Sequence, residues 1–183
     1  MILSPSHVAV LVPSVRKAAK YLEGLKFEIG EEEVFEETRE VYVQGSERNP
    51  LLLMEAKGAG SYQRALKKRG PGVHHLAVDV LDIEEFLNSL SGSGWLLHLN
   101  SLKSLKNHRT AYLARPGFPA LIEVQEKKNL MDGPLFVEGV SLKFESGSAN
   151  LVKAVGLDDL LKPTRGKPSL MVQGKKIELE KLF

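Results

Sequence analysis

The apolar pattern of the chain runs through the same order of periods twice. His7-Val8-Ala9-Val10-Leu11-Val12 is a run of strand length, and it recurs 68 positions later as His75-Leu76-Ala77-Val78-Asp79-Val80. After the first copy Ser14 opens a stripe of Val15, Ala18, Ala19 and Leu22, and after the second Asp82 opens one of Ile83, Phe86, Leu87 and Leu90. Both stripes have the i, i+3, i+4, i+7 spacing of an amphipathic helix, and Ser and Asp are good N-caps. Gly24 and Ser91-Gly92-Ser93-Gly94 are expected to stop the two helices. Strand-like stretches then follow at 26–30, 39–44 and 51–55 in the first half and at 95–99, 110–114 and 120–125 in the second. Each half therefore reads βαβββ, and Ser61 to Arg69, closed by Gly70-Pro71-Gly72, predicts a short helix between them.

The repeat ends near residue 128. Beyond it, 135–145, 150–161 and 169–182 predict a strand, a helix and a hairpin turning at Gln173-Gly174. The expected architecture is α+β: two paired βαβββ modules over 1–128 and a βαββ appendix over 129–183. The appendix is expected to be structural, covering a sheet edge or forming a subunit contact.

Composition narrows the function. With 25 basic and 23 acidic side chains dispersed along 183 residues, the chain lacks the concentrated positive field of a nucleic-acid or anionic-membrane binder. No basic leader followed by an apolar stretch opens it, and no run approaches the ~20 apolar residues of a membrane span, so a cytoplasmic location is expected. The absence of cysteine excludes disulfides, thiolate metal sites and cysteine nucleophiles. A metal here has to be held by histidine and carboxylate.

Side chains alternate faces along a strand, so His7, Ala9 and Leu11 share one face and His75, Ala77 and Asp79 the equivalent one, with the valines facing the helices. A histidine at the start of each of two equivalent strands is what a site shared by the two halves requires. In Leu121-Ile122-Glu123-Val124-Gln125 a carboxylate stands among apolar residues, a costly placement unless it is paired or metal-bound. His7, His75 and Glu123 are therefore the candidate ligands of a divalent first-row ion (Co, Mn, Zn, Ni or Fe) with open positions. His74 is expected to point to the opposite face from His75 and to be structural. Glu40, Tyr42 and Gln44 share a face that either meets solvent or lines the pocket.

These residues resemble the vicinal-oxygen-chelate superfamily, which includes glyoxalase I, extradiol dioxygenases and methylmalonyl-CoA epimerase. The nearest likeness, over about Ser6 to Glu126, is to the epimerase: Arg69-Gly70-Pro71-Gly72-Val73-His74-His75-Leu76-Ala77 is similar to its central Arg-Gly-x-Gly-x-His-His-x-Ala stretch. Leu121-Ile122-Glu123-Val124 is similar to the terminal ligand strand of the superfamily. The resemblance implies metal ligands at His7, His75 and Glu123, with Glu40 and Glu123 as catalytic acid and base. It also implies a small-molecule substrate such as an acyl-CoA, and a homodimer. The fourth ligand place, normally Glu or Gln, falls on Leu52, which cannot ligate a hard cation. Glu55 is near in sequence but of the wrong parity, and Ala114-Arg115-Pro116-Gly117 stands where the family often has His-Pro-Lys. Two alternatives follow from the same residues: a degenerate module that binds a small molecule without catalysis, and an Fe(II) dioxygenase with a His/His/Glu facial triad.

Overall fold

The computed structural model describes residues 3–45, 47–99, 101–145 and 148–183. Its larger sheet has eight strands: β1 (Leu3–Val12), β2 (Ile29–Val34), β3 (Thr38–Val43), β4 (Leu51–Ala56), β5 (Gly72–Val80), β6 (Leu96–Leu97), β7 (Thr110–Ala114) and β8 (Leu121–Glu126). Their order is β2-β3-β4-β1-β5-β8-β7-β6. Within each half the first strand lies parallel to the last, β1 to β4 and β5 to β8, and the halves join through the antiparallel pair β1–β5. Helices α1 (Val15–Gly24) and α3 (Ile83–Ser89) start where expected, with the Ser14 hydroxyl accepting from Lys17 N–H and the Asp82 carboxylate from Glu84 and Glu85 N–H. Each half is thus a βαβββ unit.

A second, mirrored device holds each helix to its sheet. Glu55 at the end of β4 accepts the N–H of Val15 at 2.9 Å and pairs with Arg39 at 3.3 Å. Glu126 at the end of β8 accepts the N–H of Ile83 at 3.0 Å and pairs with Arg109 at 2.7 Å. In both a carboxylate meets free N–H groups at a helix start, where it is favoured. Glu55 is therefore occupied on the helix side.

The valines of β1 and β5 bury against α1 and α3, as the alternation required. The opposite face of the first half is a small apolar cluster of Ala9, Leu11, Leu52 and Met54, covered by Tyr62, Ala65 and Leu66 of α2 (Ser61–Arg69).

Three local expectations are corrected. The first helix includes Gly24 and is capped at Leu25; Lys26, with a φ of 69°, supplies the left-handed turn that follows, so β2 begins at Ile29 instead of 26. Only Leu96 and Leu97 of 95–99 pair as strand, and an unforeseen helix α4 (Ser101–His108) fills the connection to β7. The stretch 150–161 is not one helix: α5 (Ala149–Ala154) stops near Gly156, at φ 65°, and a further strand β10 (Leu161–Pro163) follows.

The C-terminal region is consequently βαβββ, not βαββ, comprising β9 (Val137–Leu142), α5, β10, β11 (Ser169–Val172), β12 (Lys175–Glu178) and a final 3₁₀ turn, Leu179–Leu182. Its sheet order, β10-β9-β11-β12, pairs the first strand with the second, so it is no third copy of the repeat. Gln173 and Gly174 both have positive φ, as a tight hairpin turn requires. The region packs on the helix-bearing side of the large sheet instead of covering an edge. Phe136 meets Phe27 edge-on, the Trp95 indole N–H donates to Leu151 O at 2.9 Å, and its apolar residues share the α1/α3 core.

Candidate metal centre

The paired halves fix which positions correspond. In the second half Ala77 of β5 lies opposite Glu123 of β8, which lies opposite Tyr112 of β7. In the first, Ala9 of β1 lies opposite Leu52 of β4, which lies opposite Tyr42 of β3. Leu52 is therefore the structural counterpart of Glu123, as the sequence comparison of the halves required, and Tyr42 is the counterpart of Tyr112.

His7, His75 and Glu123 converge on the face away from α1 and α3. His7 Nε2 lies 3.0 Å from His75 Nε2, and Glu123 Oε2 is 3.4 Å from the first and 3.1 Å from the second. All three residues are buried. Donors bound at ~2.1 Å to one cation stand about 3.0 Å apart in octahedral and about 3.4 Å apart in tetrahedral geometry. The observed spacings fall in that interval, so the three donors can face one ion. Leu52, 4% exposed, leaves the equivalent place on the first half without a donor atom.

The electrostatics favour the forms a cation needs. Burial opposes ionisation of Glu123, but hydrogen bonds from His7 and His75, with their nearby charge, outweigh it and hold the carboxyl well below the usual range. Burial pulls His75 below its ordinary value, against the hydrogen bond and charge of Glu123. The other oxygen of Glu123, Oε1, accepts from Tyr112 O–H at 2.9 Å and Gln125 N–H at 3.1 Å, leaving Oε2 turned to the histidines. Burial, then the charge of Glu123, pushes the Tyr112 hydroxyl far up, so it remains a donor. Tyr42 is pushed up to about 12 by burial and then by Glu40 and Glu123.

Glu40 lies on the same open face, opposite Met54 of the apolar cluster, and Thr38 O–H donates to it at 2.7 Å. Tyr42 packs edge-on to His7, and Tyr42 and Gln44 line a cavity of 440 Å³ with His7, Asp79, Gln125 and Lys127. The face carrying Glu40, Tyr42 and Gln44 is thus on the pocket side of the sheet.

His74 does not follow simple alternation. The β1–β5 ladder passes from Ala9–His75 to Val10–Val73, so His74 is the extra residue of a bulge. Instead of pointing to the opposite face, its ring stacks near Tyr62 of α2, and its Nδ1 lies 2.9 Å from His75 Nδ1. Burial, with repulsion from His75 and Arg69, lowers His74 to about 3 and keeps it neutral. Tyr112 and Gln125 were not singled out by sequence, and His74 was placed on the opposite face from His75. The first two had a legible signal, because Tyr112 repeats Tyr42 and Gln125 shares the parity of Glu123; the bulge that turns His74 had none.

No family model and no curated protein matches the chain. Solved structures do. A hypothetical protein from Bacillus halodurans matches at TM-score 0.59 and 21% identity, over 73% of this chain and 100% of its own. The methylmalonyl-CoA epimerase of Mycobacterium tuberculosis matches at 0.52 and 24%, over 67% and 86% of the two chains. A Streptomyces coelicolor methylmalonyl-CoA epimerase in complex with 2-nitronate-propionyl-CoA matches at 0.51 and 18%, over 71% and 98%. The chain has the vicinal-oxygen-chelate fold. Among the described residues no helix is long and apolar enough to cross a membrane.

Proposed function

We propose that this chain is a metal-dependent epimerase of an acyl-CoA thioester of the methylmalonyl-CoA kind, working in the cytoplasm as a homodimer. The observation that carries the reading is the triad His7, His75 and Glu123, whose donor atoms all lie within 4.8 Å of one another in a buried site on this fold. A divalent ion held by His7, His75 and Glu123 would supply positive charge against the negative charge that builds on a substrate oxygen. The protein's own groups handle the proton. Inversion at a carbon between a thioester carbonyl and a carboxylate needs a base on one face and an acid on the other. Glu40 takes the proton on one side; Glu123, ionised at rest, first takes up a proton from solvent and returns it on the other, after which Glu40 releases its own to solvent. Tyr112 and Gln125 fix the Glu123 carboxylate by holding Oε1, and Thr38 orients Glu40. With Nε2 of His75 facing the ion, its Nδ1 carries the proton and donates to His74, which sets the ring's tautomer and angle.

The deciding experiment is metal analysis of protein purified without chelator, followed by solvent proton exchange into methylmalonyl-CoA. Stoichiometric metal and exchange are expected. Glu40→Gln should abolish exchange and keep the metal, because the change removes basicity without touching a donor; undiminished exchange would remove Glu40 from the mechanism.

Leu52 favours a second reading, a module that binds a small molecule without turning it over: the fourth ligand place is packed with Ala9, Leu11 and Met54. The facial-triad dioxygenase also gains from Tyr112 and His74, since both stand one hydrogen bond from a candidate ligand where a proton relay is needed. Metal without exchange, with or without O₂ consumption on a catechol, separates these two from the epimerase.

A further inference from the structure

Two cavities open at opposite ends of the ladder between β1 and β5. Along it Ser4 lies opposite Asp79 and Leu11 opposite Gly72, with His7, Ala9, His75 and Ala77 between. The Asp79 end opens into the polar cavity beside His7 described above. The Leu11 end opens into a separate cavity of 250 Å³, walled on one side by Leu11 and His74 and on the other by Leu142, Leu179 and Phe183 of the C-terminal region. Arg69 and Lys143 also line it.

We propose that this second cavity binds a small apolar carboxylate of the medium-chain acyl kind. Its walls are dry, Leu11 being 2% and Leu142 and Leu179 each 4% exposed, while Phe183 presents an exposed ring at its margin. Apolar walls with a few convergent polar groups are the common make-up of a ligand site. At 250 Å³ the cavity is below the roughly 300–1,000 Å³ of drug-sized ligands, so it selects a short chain and excludes a whole coenzyme.

Arg69 supplies positive charge at the cavity. Lys67, Lys68 and Arg69 all sit in the last turn of α2, where cations complement the helix C-terminus, but Arg69 alone of the three lines the cavity. Among the described residues its guanidinium, exposed at the mouth of the cavity, has no hydrogen bond or ion pair and is free to turn to a ligand there. Glu180 is the carboxylate in the lining, and it is held by Lys167 at 2.6 Å. Arg69 and Lys143, neither with a hydrogen-bond or ion-pair partner among the described residues, stand beside an apolar slot and match an acid head on a hydrocarbon tail, with the planar guanidinium suited to bidentate contact. His74 forms part of the wall and its Nδ1 is 2.9 Å from His75 Nδ1, so the ligand sits one hydrogen bond from the triad.

Octanoate is the probe. Titrated into the full chain by calorimetry, with histidine ring ¹⁵N resonances followed in parallel, it should bind saturably at one site and shift the His74 ring. The double variant Arg69→Met, Lys143→Met, both exposed positions, should weaken octanoate at least tenfold while leaving octanol unaffected. Leu142→Trp, which fills the slot, should abolish both. Non-saturable uptake, a His74 ring that does not respond, or equal octanoate affinity in the double variant would each overturn the site. The titration is run without metal, so failure of the epimerase reading leaves this result standing and the reverse also holds.

Discussion

The two halves of the large sheet have the same strand order and the same helix-start carboxylates, but opposite chemistry on the face between them. The second half presents Glu123 beside Tyr112, with Asp79 further along β5. The first presents Leu52 beside Tyr42, with Leu11 at the place equivalent to Asp79. In the first half Leu11, Leu52 and Met54 on this face are covered by Tyr62, Ala65 and Leu66 of α2. In the second the face stays polar: Asp79 is 8% exposed, one of its carboxylate oxygens has no partner among the described residues, and burial raises its pKa. Duplication supplied the geometry twice, and the halves diverged only where side chains leave the shared backbone. The fold tolerates this because a strand face can exchange a donor for an apolar group without altering the ladder behind it.

Making the second half like the first should have the largest effect. Glu123→Leu removes the only carboxylate of the triad and leaves the Tyr112 hydroxyl buried without its acceptor; metal should be lost from purified protein and proton exchange should fall by at least about 10³-fold. Retained stoichiometric metal would show that the triad is not the site.

The reverse change, Leu52→Glu, sharpens the same comparison through stability. Without metal it buries an unpaired charge and should cost about 3–5 kcal/mol. With Co²⁺ or Mn²⁺ the sign should invert, because a ligand that binds only the folded state raises the melting temperature and a fourth donor tightens binding. Melting curves of both proteins with and without metal decide it. If metal raises neither melting temperature, the binding-module reading replaces the epimerase.

The two tyrosines offer a finer contrast. Tyr112→Phe removes a hydrogen bond to a candidate ligand, and such outer contacts are worth roughly 10–100-fold in metal affinity; Tyr42→Phe, beside Leu52, should change it less than about twofold. Equal effects of the two in competition with a chelator would deny Tyr112 its part.

The smallest difference lies at the helix starts. Glu126 is gripped by Arg109 through two contacts of 3.0 and 2.7 Å, whereas Glu55 has one contact of 3.3 Å to its arginine. Glu126→Gln should cost about 1 kcal/mol and Glu55→Gln less. The arginine hydrogen bond, then that of Ile83 N–H, lowers Glu126 to about 2. A depressed carboxylate adds stability above its unfolded value, and that stability disappears as the pH falls from about 4.5 to 2. Acid unfolding of Glu126→Gln should lack this component.

Local and repeated features were legible in the chain itself. The matched His7 and His75 strands, the Ser14 and Asp82 caps, and the parity of Glu123 and Glu40 each follow from short-range geometry, and duplication turned each into two concordant observations. Leu52 could be placed as the missing donor because the first half could be laid over the second. Glu55 could be set aside on parity alone, and the helix-start N–H groups explain its use. Where nothing repeats, less was readable. The strand at 161–163 lies parallel to β9 and is fixed by that distant partner, so its own few residues carry no period. The same holds for the two-residue β6.

Sequence alone determined the paired βαβββ plan, the absence of thiolate chemistry and the three residues that meet. Tertiary structure alone decided that the C-terminal region packs on the helix-bearing side, that α2 covers the apolar cluster around Leu52, and that His74 turns toward His75. Each of these depends on contacts between segments far apart in the chain. A bulge in one ladder reverses the side from which a residue reaches its neighbours, and no local pattern of apolar and polar positions encodes where such a bulge falls.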